Sequence, residues 1–270
     1  MAKSALRLSL VITVYNEEHH IKRCLDSIAA QTVLPDEVIV VDNNSTDRSI
    51  ELARTYPFVR VVKEHKQGIY YARTAGFNAA RHDIIGRIDA DTVLPVGWVA
   101  YVLKFYSAED HADTALTGGG YFYNIRLPKF NGWLLSQIAY RNNRLILGHY
   151  ILWGSNMAML RRQWQAIRNE LCERDDIHED LDLAIHLHRA GYKIAYREHL
   201  RVGVKLKRVW ENRWSQKKHM ARWPATLRVH GRKLWWLGSL GNVGLSVLGE
   251  PYIFISEGIA RLCKRPRLPD

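Results

Sequence analysis

The sequence predicts an α/β fold: a mostly parallel sheet with helices on both faces. Three observations carry this. Short runs rich in Val and Ile recur at Leu8–Val14, 37–41, Val59–Lys63 and 84–88, as buried parallel strands require. Between them lie segments with apolar residues at helical spacing. Acids and turn formers, Tyr15, Asp42 and the Asp89-Ala90-Asp91 triplet, follow directly on three of the runs.

Leu8–Val14 is apolar and β-branched and reads as a central strand. Lys3 and Arg7 before it loosely imitate a signal peptide. The run is short, has no small-residue cleavage site and leads into Tyr15-Asn16-Glu17-Glu18, so a buried first strand is expected instead. Asn16 is expected to cap a helix with Ile21, Leu25 and Ile28 on one face. Pro35 precedes the second strand, and Asn43-Asn44-Ser45 after it is turn chemistry. A helix with Ile50 and Ala53 inward leads to the third strand. The next helix has a small-residue face of Ile69, Ala72, Ala75, Gly76, Ala79 and Ala80, with Arg73 on its polar side. The fourth strand runs into Asp89. A βαβαβαβ order places ligands beyond the carboxyl ends of the strands. Tyr15, Asp42 and 89–91 should therefore meet in one crevice.

The second half is less regular. Residues 115–123, with Gly118-Gly119-Gly120, read as a strand meeting close backbone. Residues 124–150 read as a long connection with some helix. Trp153-Gly154-Ser155-Asn156 leads into Met157–Leu160, 180–190 reads as a helix closed by Gly191, and 193–196 as a short strand. From about residue 201 basic residues interleave with Trp210, Trp214, Trp223, Trp235 and Trp236, followed by a Gly-punctuated apolar stretch, 234–255. The expected division is a catalytic domain over 1–225 and a helical, apolar membrane-interface appendage over 226–270.

Composition narrows the partners. Lys and Arg outnumber acids 39 to 27 over 270 residues, giving +12, a balance that favours anions such as nucleotide phosphates or acidic lipid. Three scattered cysteines without a Cys-x-x-Cys pair point to neither a zinc site nor a disulfide framework, and fit a reducing compartment. The basic, Trp-rich tail suits peripheral contact with an anionic membrane, from the cytoplasmic side. Its alternative is packing over the acceptor cleft. No nucleic-acid module is recognisable, and nucleic acid is not an expected partner.

The chemistry rests on carboxylates. Two acids at a strand end can hold Mn²⁺ or Mg²⁺ against a diphosphate, and the small Ala90 between them lets a nucleotide approach. Asp42 can hydrogen-bond a base or ribose, or simply cap a turn. In His178-Glu179-Asp180 a carboxylate can act as general base, although Asp180 also sits where a helix N-cap belongs. Arg73 can meet phosphate or be a solvated arginine.

Six segments in order then resemble the family 2 glycosyltransferases of the GT-A fold: Val11 to Glu18, Val40 to Asp47, Gly68 to Gly76, Ile88 to Trp98, Gly154-Ser155-Asn156, and Glu179-Asp180 with its helix to Tyr192. The resemblance covers roughly residues 8–198. It implies a Rossmann-like GT-A domain plus a basic, Trp-rich C-terminal appendage, and an inverting, metal-dependent transfer of one sugar. The donor is a nucleotide-diphosphate sugar, UDP favoured; the acceptor is a hydroxyl on a lipid-linked saccharide or glycolipid, as in cell-envelope glycan assembly. Thr13, Tyr15 and Glu17 would line the base pocket, Asp42 would hold the base, Asp89 the ribose side and Asp91 the metal. Arg73 and Ala90 complete the donor side. Asp180 would be the base, with Glu179, Gly154, Asn156 and Trp223 toward the acceptor. Two positions depart from the pattern: Thr74 stands where the family has Asn, and His219-Met220-Ala221-Arg222-Trp223 keeps only the Arg-Trp of Gln-x-x-Arg-Trp. Rival readings are a nucleic-acid binder, a sugar nucleotidyltransferase, which would need a Gly-rich loop after the first strand, and an inactive sugar-nucleotide-binding module.

Overall fold

A computed structural model describes residues 5–124, 140–141, 143–205 and 213–231, with 213–220 as backbone. The apolar stretch 234–255, and with it nearly all of the expected appendage, lies outside the described residues.

The four expected parallel strands form one half of a seven-stranded sheet of order β3-β2-β1-β4-β6-β5-β7. They are β1 (Leu8–Val14), β2 (Glu37–Asp42), β3 (Val59–Lys63) and β4 (Ile84–Asp89), all paired in parallel. The other half is mixed. β6 (Met157–Leu160) runs antiparallel to both β4 and β5 (Thr114–Phe122), and β7 (Lys193–Val204) is parallel to β5. β7 is twelve residues long where a short strand was expected. Its pairing with β5 shifts register between Gly118 and Gly120, and β7 passes so close there that a Cβ at Gly118 would lie 2.0 Å from the Leu200 carbonyl oxygen.

Alternation along β1 builds two cores. Leu8, Leu10, Ile12 and Val14 pack with α1 (Ile21–Ala29), α2 (Ser49–Ala53) and α4 (Trp98–Ser107). Val11 faces the opposite layer, with Ala72 and Phe77 of α3 (Ile69–Ala79), Trp164 of α5 (Arg161–Ile167) and Leu183 of α6 (Glu179–Arg189). α3 lies close on the sheet at Gly76, where a Cβ would meet Val11 at 2.4 Å and Val41 at 2.9 Å. A third cluster joins α6 to α7 (Arg213–Val229) through Leu181, Ile185 and Leu227. α7 runs unbroken across the expected boundary at 225/226, and Thr226 and Leu227 are buried. Among the described residues no helix is long and apolar enough to cross a membrane.

Asn16 does not cap α1. It takes a left-handed backbone (φ 54°), and α1 begins only after His20, with the Glu17 carbonyl accepting from His20 and Ile21 N–H. Its amide oxygen instead accepts from Thr46 N–H at 2.8 Å. The loops after β1 and β2 clasp further, Ser49 Oγ accepting from Glu17 N–H and Asp47 from Glu18 N–H. Asn43 then ties this pair to the β3–α3 loop by donating to the Glu64 and Lys66 carbonyls and accepting from Gly68 N–H.

Candidate active site

Parallel register sets the site. Thr13 lies opposite Asp89 and Val14 opposite Asp42, so the carboxyl ends of β1, β2 and β4 share one sheet edge. Tyr15 stands on the rim, 52% exposed, above buried Thr13. The carboxylates of Asp91, Asp89 and Glu17 all act on one buried thiol, Cys24: burial and then their charges push it far above the ordinary range. Asp91 is half-buried. Its charge, after burial, also raises Tyr123, to about 12. This concentration of hard oxygen donors at a strand end fits Mn²⁺ or Mg²⁺.

Arg87, which the sequence reading missed, organises the other side. It is 1% exposed in the middle of β4. Its guanidinium donates to Asp180 Oδ1 at 2.5 Å and Asp89 Oδ1 at 3.2 Å, and lies 3.6 Å from Glu179 Oε1. Burial alone would favour the neutral guanidine; Asp180, Asp89 and Glu179 outweigh it and raise the pKa. Asp180 Oδ2 accepts from the Gly154 N–H at 2.7 Å, and Asp89 Oδ2 from Ser155 Oγ at 2.5 Å. A Cβ at residue 154 would lie 2.6 Å from the Arg87 guanidinium carbon, so any larger residue would push the guanidinium off its present contacts. A signal was available, since an arginine inside the run Ile84-Ile85-Gly86-Arg87-Ile88 must be paired if the strand is buried.

Several expectations are corrected. Asp180 is not an N-cap: His178 holds that position, and the Asp180 carboxylate turns to β4 and Gly154. Arg73 is neither on a polar face nor solvated. It is 0% exposed and donates to the Glu179 carbonyl at 2.8 Å, with burial lowering its pKa and Glu179 opposing. It supports the start of α6. Asn156 is fully buried as a tie inside the sheet, accepting from Trp98 Nε1 and donating to the Gly119 and Leu200 carbonyls, so its amide is committed before any acceptor arrives. Ala90 is 2% exposed with its methyl in the core, and only its backbone can face a nucleotide. Asp42 accepts from Ser45 N–H and pairs with Lys63 at 2.8 Å at the end of β2. Trp223 packs edge-on against His178, ring centroids 4.9 Å apart, at the entrance to α6.

The family model described as glycosyl transferase family 2 matches residues 9–166. The chain belongs to this family. Among curated relatives of this family 2 chain, the putative glycosyltransferase EpsH of Bacillus subtilis (strain 168) is 32% identical over 113 residues, 40% of this chain and 32% of EpsH. The uncharacterized glycosyltransferase YibD of Escherichia coli (strain K12) is 33% identical over 120 residues, 43% of this chain and 34% of YibD. The matched part thus spans about a third of those relatives. Solved structures share the fold. The mannosyltransferase PcManGT from Pyrobaculum calidifontis, in complex with GDP-Man and Mn²⁺, superposes with TM-score 0.65 at 19% identity, over 99% of this chain and 78% of that one. S. aureus TarS 1–349 with UDP-GlcNAc gives 0.59 at 19% identity, over 75% and 59%.

Proposed function

We propose that the chain moves one sugar from a nucleotide-diphosphate sugar, UDP-linked by preference, to an acceptor hydroxyl with inversion. The observation that carries this reading is the Arg87 cluster, which assembles Asp89, Glu179 and Asp180 beside the Asp91 strand end. Asp91 would hold Mn²⁺ or Mg²⁺, whose chemistry is neutralisation of the departing diphosphate. PcManGT and TarS, with their bound sugar nucleotides, support a donor of this kind.

The charge balance suits proton uptake. Two buried guanidiniums, Arg73 and Arg87, face three carboxylates, leaving one net negative charge. The cluster therefore accepts a proton from the attacking hydroxyl without becoming cationic. Asp180 is the proposed base, oriented by Arg87 and by Gly154 N–H. Glu179 is the second reading, favoured by one observation: its buried Oε2 has no hydrogen-bond partner, whereas both Asp180 oxygens have one. UDP release from a UDP-sugar with Mn²⁺ and mixed saccharide and lipid-linked acceptors separates them. Asp180→Asn is expected to lower kcat by about 10²–10⁴ while keeping UDP binding, with a smaller loss for Glu179→Gln. Normal turnover by Asp180→Asn with collapse in Glu179→Gln would transfer the role to Glu179.

A lipid-linked or glycolipid acceptor, met from the cytoplasmic face of an anionic membrane, is proposed from the basic, Trp-rich tail, each basic residue contributing about 1 kcal/mol at such a surface. Liposome sedimentation with and without anionic lipid tests it; equal recovery would remove the membrane from the proposal.

A further inference from the structure

On the side of α6 away from Asp180, four metal-ligating side chains from separate parts of the chain converge. Cys172 precedes α6, Asp182 and His186 lie one turn apart on it, and His230 closes α7. One ligand atom from each lies within 4.8 Å of all the others. Asp182 is two residues beyond Asp180, about 200° round the helix, so this is not the donor site. His230 Nε2 is 2.7 Å and His186 Nε2 3.5 Å from Asp182 Oδ1, and Asp182 Oδ2 accepts from the Cys172 N–H.

His186 points to what the cluster is for. It is 7% exposed, yet neither ring nitrogen has a hydrogen-bond partner. A buried imidazole held only by long contacts to carboxylates, and by no well-formed hydrogen bond, is under-satisfied, and metal ligation would satisfy it. The surrounding groups are Glu170, 3.8 Å from His186 Nδ1, and Arg189, which donates to the His230 carbonyl and not to a ligand atom.

We propose that Cys172, Asp182, His186 and His230 form a four-coordinate Zn²⁺ site that latches α7 to the catalytic helix α6. A thiolate, two imidazoles and a carboxylate are a borderline-soft set that selects zinc over Mn²⁺ or Mg²⁺. Tetrahedral zinc with these ligands needs atom separations of about 3.3–3.6 Å. From the present separations, the longest pair, at up to 4.8 Å, must close by about 1 Å and the 2.7 Å His230–Asp182 pair must open by about 0.6 Å. On binding, the Cys172 thiol proton and the proton that His230 Nε2 shares with Asp182 Oδ1 leave to solvent, and the sulfur–metal and nitrogen–metal bonds form in their place. The ion would fix α7 at its last turn, and through α7 hold Thr226, which accepts from the His178 N–H, and Trp223 against His178. It is a closed, structural site, independent of the reaction proposed above.

Tag-free full-length protein carrying Asp91→Ala, which removes the proposed donor-site metal, is stripped with chelator and titrated with Co²⁺ and then Zn²⁺. One cobalt per chain is expected, with tetrahedral d–d bands and a thiolate charge-transfer band, both bleached by Zn²⁺ and unaffected by excess Mg²⁺. Cys172→Ser should lose the charge-transfer band, and the double variant His186→Gln/His230→Gln should bind no cobalt. Far-UV circular dichroism checks that each variant is folded. A folded parent that takes up no cobalt, or a charge-transfer band that survives Cys172→Ser, would overturn the site.

Discussion

Arg87 shows how one side chain sets the character of this site. A guanidinium taken fully out of water is tolerated because three carboxylates surround it, and those carboxylates are tolerable only because of it. Arg87→Ala should therefore destabilise the fold by about 3–5 kcal/mol, read from urea unfolding, because it strands buried negative charge. Arg87→Lys keeps the charge but not the fork that reaches Asp180 and Asp89 together, and should recover part of that stability without restoring turnover. A wild-type urea midpoint for Arg87→Ala would show that the carboxylates do not depend on it. The same network explains residues that look dispensable in the sequence. Gly154 is small because the guanidinium lies where a Cβ would go, and Ser155 holds the second Asp89 oxygen.

At the scale of elements, the close approach of α3 to β1 and β2 brings Arg73 under the start of α6. Gly76→Ala, whose added methyl would meet Val11 and Val41, should cost about 1–3 kcal/mol through overpacking, measured by the same urea titration. A neutral result would mean that α3 can shift outward. The ends of β1, β2 and β3 are also bound by carboxylates. Asp36 accepts from Leu8 N–H and Arg7, Glu37 from Ser9 and Arg60, and Asp42 from Lys63 and Ser45 N–H. Burial opposes ionisation in each, but these donors outweigh it and hold all three below the usual range. A depressed folded-state pKa means that the unfolded chain binds more protons in acid. This stability is complete above the unfolded values of about 3.9–4.3 and is lost as pH falls through the lower folded values. Asp42→Asn should accordingly be less stable than wild type at pH 7, with the difference closing as pH falls below the ordinary aspartate range. A gap that stays constant with pH would remove the charge from this account.

For the whole molecule, the proposed donor would bridge the carboxyl ends of β1, β2 and β4, beside loops after β1, β2 and β3 that already clasp one another. A nucleotide at about 100 times its dissociation constant adds about 2.7 kcal/mol of stability, a rise of several degrees in melting temperature for a chain of this size. With UDP, GDP, dTDP and CDP compared with and without Mn²⁺, a rise is expected for UDP and only with metal. A rise with GDP alone would move the proposed donor to a GDP-sugar. Asp91→Ala should abolish the metal-dependent part.

The first half of the fold is legible in the sequence because each of its strands is a short β-branched run, and two of them, β2 and β4, end in the acids Asp42 and Asp89. Local periodicity and parallel register are then enough to bring Thr13, Asp42, Asp89 and Asp91 to one edge. The six segments shared with the family 2 glycosyltransferases are likewise continuous stretches that need no folding to be seen. What tertiary structure alone decided is which polar groups are already spoken for. Packing makes Asn156 a tie inside the sheet, puts the Ala90 methyl in the core and sets Arg73 under the start of α6, with two of its guanidinium nitrogens still unpartnered, and no local pattern shows any of this. Burial in a central strand made Arg87 a hub, and the docking of α7 on α6 brought His230 within reach of Cys172, Asp182 and His186. Those four lie as much as 58 residues apart (from Cys172 to His230). No spacing rule could have joined them, because their closeness depends on how two helices pack and not on the order of the chain.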